Sequence, residues 1–194
     1  MKKITSLVAA ALLSTAGYAN AALFHFNGEI ANHNDVVYTY FSVGADATDV
    51  RVWTDSFQSA TNFAPITALW TADGTLVGQN DDDASINPDT QTWYDSGLQF
   101  SNLAAGNYIF TVATFNNFAV TNNLADGFQF DSQAPIALEN WNQPASHGNM
   151  GHKWSLWLDG VDTATNPTAL PEPAPLALLG LGLLGFAARR ARKA

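Results

Sequence analysis

Ile66-Thr67-Ala68-Leu69-Trp70, a break at Ala72-Asp73-Gly74, and Thr75-Leu76-Val77 form the stretch on which the fold is decided. Pro65 opens it, and Asp-Gly tolerates the positive φ that a tight turn requires, so the stretch predicts a β-hairpin. Upstream, Asp49-Val50-Arg51-Val52-Trp53-Thr54 alternates polar with apolar, Val37–Val43 is β-branched and aromatic, and Phe24 and Phe26 flank His25. Downstream come Leu98-Gln99-Phe100, a turn at Ala105-Gly106-Asn107, and Tyr108-Ile109-Phe110-Thr111-Val112-Ala113. Lys153-Trp154-Ser155-Leu156-Trp157-Leu158 closes the series, with Trp154 and Trp157 on opposite faces. Residues 116–151 carry no period and are rich in Asn, Gly and Pro, which predicts a long irregular region. About eight short strands and no amphipathic helix predict an all-β, jelly-roll-like sandwich over residues 22–162, with residues 163–170 as linker. No internal repeat points to a propeller or solenoid.

The two ends of the chain have a different character. Met1-Lys2-Lys3 is basic, Ile4–Ala16 is apolar, and Ala19-Asn20-Ala21 has the small-x-small pattern of a secretory cleavage site. Residues 1–21 are therefore expected to be a signal peptide that delivers the chain to the secretion translocon. At the other end, Pro171-Glu172-Pro173 precedes fifteen residues without a charge, Ala174 to Ala188, and then Arg189, Arg190, Arg192 and Lys193. At roughly −0.3 to −0.6 kcal/mol per Leu or Phe, this run gains about 2 to 4 kcal/mol in hydrocarbon. It predicts a short transmembrane helix whose basic flank stays cytoplasmic. Fifteen residues fall short of the ~20 of a comfortable span.

With both ends removed, only Arg51 and Lys153 remain of the basic residues. Against sixteen acidic ones they give residues 22–170 a charge of −14. Such a domain repels nucleic acid, which needs clustered Lys and Arg. Its aromatic content argues against disorder. The absence of cysteine excludes thiol catalysis, disulfides and Cys-based zinc sites.

The order of proline motif, short Leu/Gly/Ala-rich span and terminal Arg cluster resembles the PEP-CTERM protein-sorting signal of exopolysaccharide-producing Gram-negative bacteria. Leu170 stands where that signal more usually has Val. The resemblance implies recognition of Pro171, Glu172 and Pro173 by an exosortase-type membrane peptidase, with Arg189, Arg190, Arg192 and Lys193 as membrane stop. It also implies transient anchoring in the inner membrane, then release or transfer to the cell surface or beyond. A cell-envelope or matrix role beside exopolysaccharide, biofilm included, follows as the expectation.

The acidic run Asn80-Asp81-Asp82-Asp83 is the sequence's candidate calcium site, since calcium takes six to eight hard oxygens. Its spacing is not that of an EF-hand, and a solvated turn fits the same residues. Neighbouring carboxylates ~6 Å apart in water repel by only ~0.7 kcal/mol, so no cation is required to hold them. The ectodomain also resembles pre-peptidase C-terminal β-sandwiches. The pieces that carry this are Asn34-Asp35-Val36, Phe63-Ala64-Pro65-Ile66, Ala72 through Asp82, Leu103 through Tyr108 and Asp126-Gly127-Phe128. Ala64 stands where that family usually has Asp, and the family brings no activity with it.

His25, His33, His147 and His152 show no metal-ligand spacing. Ser, His and Asp are all present, but no G-x-S-x-G elbow accompanies them. A glycosidase pair needs carboxylates ~5–9 Å apart across a cleft, which abundant Asp would mimic by chance. No enzymatic activity is expected, and no cofactor apart from the calcium alternative. Of the six tryptophans, Trp93 and Trp141 lie in polar stretches and are the expected exposed pair, hence the candidate glycan contacts. Large aromatics on alternating strands are otherwise core.

Overall fold

The computed structural model describes residues 22–45, 47–145 and 150–168. Nine strands form: β1 (Ala22–Glu29), β2 (Val36–Val43), β3 (Val50–Thr54), β4 (Pro65–Thr71), β5 (Leu76–Asn80), β6 (Gly97–Phe100), β7 (Gly106–Thr114), β8 (Lys153–Val161) and β9 (Thr163–Thr165). They pair antiparallel in two sheets, ordered β1-β8-β3-β6 and β5-β4-β7-β2-β9. Apart from the β4–β5 hairpin, each strand is followed by one in the other sheet. That crossing order is the double-sheet jelly roll of eight strands, with β9 added at one edge. The extra strand occupies what the sequence assigns to the linker. Its two threonines, β-branched and suited to a pleat, align with Tyr40 and Ser42 of β2.

The hairpin forms as predicted. Gly74 sits at φ +87°, its N–H donates to the Thr71 carbonyl (2.9 Å), and the Thr71 N–H donates to the Thr75 carbonyl (2.9 Å). A side chain at 74 would have to adopt a left-handed backbone, which glycine does without steric cost.

Between the sheets lies one core. Val50, Val52, Trp154, Leu156 and Leu158 of the four-stranded sheet join Val37, Phe41, Leu69, Phe110 and Val112 of the five-stranded one. Each fully buried side chain of this kind contributes ~1.5–3 kcal/mol, which lets a cysteine-free chain hold its shape. The irregular region has its own task. Phe128, with Leu124 and Ala119 beside it, packs on Ala68 and Trp70 and roofs the outer face of the five-stranded sheet. Two short 3-10 turns, Leu124–Asp126 and Leu138–Asn140, are the only helical pieces among the described residues. None is long and apolar enough to cross a membrane. The expected signal and tail helices lie outside the described residues.

The outer face of the four-stranded sheet is covered at Trp53, 1% exposed and donating through Nε1 to Thr90 Oγ1 (3.3 Å), and opens toward β1 and β8. Register places His25 opposite Trp157 and Trp157 opposite Trp53. Their rings stack across the strands at centroid distances of 3.9 Å and 6.2 Å. Gly97 ends the row because a Cβ there would lie 2.7 Å from the Trp53 Cβ. Beside the stack Arg51 pairs with Asp159 and lies 5.6 Å from the Trp53 ring centroid.

Candidate functional site

The acidic run sits where β5 ends, and its local bonds decide what it can hold. Asn80 donates through Nδ2 to the Gly97 carbonyl (2.9 Å) and accepts the Asp81 N–H at Oδ1 (3.0 Å). Asp83 accepts the Ser85 N–H (2.9 Å) and the Ser85 hydroxyl at Oδ1. Two of the four predicted ligands thus spend oxygens on closing their own turns. Asp81 keeps Oδ1 buried without a partner, and its pKa is pushed up to about 6, first by desolvation and then by the adjacent Asp82 charge. Asp82 is exposed and also raised by desolvation. Among the described residues no three His, Asp or Glu groups are arranged to hold a metal ion.

Trp93 and Trp141 part company. Trp93 is 59% exposed, with only its edge against Phe57 and Tyr94. Trp141 is 9% exposed and packs on His33 and Phe130, which corrects its assignment to the surface. The 3-10 turn before it buries Leu138, and the ring follows into the core. Polar flanks do not hold an indole in water when an apolar socket lies next to it.

The histidines are structural or incomplete as catalysts. His33 is buried, its Nδ1 accepting the Ile136 N–H (3.2 Å) and its Nε2 donating to Gln133 Oε1 (3.0 Å). His152 approaches Glu29 at 3.5 Å on the surface. His147 lies outside the described residues. His25 Nε2 meets Ser155 Oγ at 2.9 Å, a contact that sequence order did not reveal. Nucleophilic catalysis needs more than this pair: a third group orienting the base and donors for the oxyanion. Among the described residues no carboxylate is hydrogen-bonded to His25, and Ser155 stands in mid-strand, where the ladder occupies backbone donors.

Asp95 is the best-tied carboxylate. It accepts N–H bonds from Phe57 (2.9 Å) and Thr92 (2.8 Å) and hydroxyl bonds from Thr92 (3.0 Å) and Thr54 (3.3 Å). Burial raises its pKa while those four bonds pull it down. It pins the loop after β3 to the loop before β6.

What the sequence did not disclose is a cleft on the outer face of the β1–β8 pair. It measures about 340 Å³ and is bordered by His25, Asn27, Glu29, Gln58, Lys153 and Ser155. Residue parity puts His25, Asn27 and Glu29 on one face of β1, and Lys153 and Ser155 on one face of β8. Only the β1–β8 register brings the two sets together.

Pro171, Glu172 and Pro173, and Arg189, Arg190, Arg192 and Lys193, lie outside the described residues. Residues 169–193 match the family model described as the PEP-CTERM protein-sorting motif. No curated protein matches the chain. The chain thus carries a sorting motif of the kind processed by exosortase, a membrane protease, and is an exported protein anchored in the membrane before cleavage. The match covers the tail and does not extend into the jelly roll.

Proposed function

We propose that this chain is the precursor of a non-catalytic envelope protein whose acidic jelly roll works at the cell surface or in the surrounding matrix. The signal peptide passes it to the translocon, and the short tail holds it in the inner membrane. The peptidase then cuts near Pro171–Pro173 and releases or transfers the domain. A structural or adhesive role beside exopolysaccharide or biofilm is the reading, and the sorting motif at 169–193 is the observation that carries it. Two observations support a non-catalytic role: His33 is bound on both nitrogens, and among the described residues no carboxylate is hydrogen-bonded to His25.

Intact-mass measurement of the protein recovered from its native host tests the proposal. The expected product begins at or near Ala22 and lacks the residues after the proline motif. Glu172→Ala is expected to accumulate as the longer, membrane-held form. Recovery of wild-type protein with its last two dozen residues intact would make it a plain anchored protein. A second reading, a glycan-binding module, draws on the exposure of Trp93. Calcium at Asp81 and Asp82 is its weaker companion, because Asn80 and Asp83 are already engaged.

A further inference from the structure

We infer that the cleft beside the His25–Trp157–Trp53 stack binds a neutral polysaccharide. This deepens the adhesive role proposed above and rests on it. Phe128 and its neighbours cover the outer face of the five-stranded sheet at Ala68 and Trp70, and the outer face of the other sheet keeps a polar cleft of about 340 Å³ between β1 and β8. That volume is within the ~300–1,000 Å³ range of small-ligand sites.

The lining has the chemistry of a hydroxyl-rich ligand. Asn27 supplies an amide that both donates and accepts, Gln58 adds an amide whose Oε1 also accepts from Asn62 Nδ2 (3.3 Å), and Ser155 adds a hydroxyl hydrogen-bonded to His25 Nε2 (2.9 Å). Glu29 and Lys153 face each other in the β1–β8 register, so the charges of the cleft cancel. Around it the domain carries −14. A polyanion would be repelled on approach, and a neutral chain would not.

The segment that brings Gln58 to the cleft is built against the grain of the backbone. Gln58, Ser59 and Ala60 lie at φ +48°, +54° and +76°, three consecutive non-glycine residues in the left-handed region. Each costs roughly 1–2 kcal/mol there, and such strain collects at functional sites. Glycine at 58 would adopt the same backbone without that strain. A side chain retained at 58 serves two contacts, the bond from the buried Asn62 and, in this proposal, the ligand.

The full-length chain, purified in mild detergent, is passed over cross-linked dextran, cellulose and galactomannan, with alginate as the acidic comparison. The expected result is retention on at least one neutral matrix, reversed by the matching free oligosaccharide. Asn27→Ala and Gln58→Gly should each weaken retention roughly fivefold, the worth of one hydrogen bond. Gln58→Gly should at the same time hold or raise the melting temperature, an outcome a merely structural Gln58 does not give. The inference is overturned if no neutral matrix retains the wild type or if alginate alone does. It is equally overturned if both variants bind as the wild type does, or if Trp93→Ala alone abolishes retention. Processing of the Asn27→Ala precursor, followed by intact mass, reports separately on the sorting reading.

Discussion

Asp81, the residue after β5, keeps one carboxylate oxygen buried and unpartnered, and its pKa of about 6 makes it a liability above that pH. In the fold it holds its proton to higher pH than in the unfolded chain. Its contribution is therefore most favourable below about pH 4 and is lost as pH rises through about 6. Undiluted, the effect would be about 3 kcal/mol; Asp81 is only partly buried, and solvent screening leaves about 1 kcal/mol. Asp81→Asn should match the wild type near pH 4 and melt ~2–4 °C higher at pH 7, read by thermal scans across that window. Calcium at millimolar concentration should leave the wild-type melting temperature unchanged at pH 7, since a cation bound only to the native state would raise it. A rise of several degrees that Asp82→Asn abolishes would restore the calcium reading. Asp95 is the opposite case, a carboxylate whose four bonds replace water. Asp95→Ala orphans the Phe57 and Thr92 N–H groups, at ~1–3 kcal/mol each, and should lower stability by about 3 kcal/mol in urea unfolding.

Register does at the level of the strand what no single residue does, and Gly97 shows its cost. A side chain at 97 would meet the Trp53 Cβ at 2.7 Å and the Val52 carbonyl oxygen at 2.8 Å. Gly97→Ala should cost about 2 kcal/mol, as overpacking does, and displace the Trp53–Trp157 stack, visible as changed tryptophan fluorescence. The strands themselves were legible: the Asp73-Gly74 turn, the alternation of residues 49–54 and the parity of Trp154 and Trp157 all survive in the fold. Their presence follows from local pattern, because a half-buried pleat demands period two. Partnership does not follow from it. Nothing in β1 says that it lies against β8, 130 residues along the chain at the His25–Ser155 contact. The cleft, made of both strands, was invisible for that reason. Trp141 was misplaced for a related one, since one wall of its socket is His33, from the far end of the domain's sequence.

For the whole molecule the question is where the working unit ends, because a removable tail must leave a stable domain behind. Every strand and both core clusters fall within residues 22–168. β9 is the last contribution, covering the β2 edge where Thr39 and Phe41 are buried. Asn166 then donates to Thr39 Oγ1 (2.6 Å) and binds the Thr168 N–H through its own Oδ1 (2.9 Å). The domain is thus closed three residues before Pro171, so cleavage at the motif removes none of its described bonds. A fragment of residues 22–168 should melt within about 2 °C of the full-length chain. Ending the fragment at 162 instead bares the β2 edge, and an unpaired edge is a template for another chain. That shorter fragment should melt lower and self-associate, measured by scanning calorimetry and by sedimentation. Equal stability and a monomeric state for both would mean that β9 is linker after all, and that the fold ends at β8.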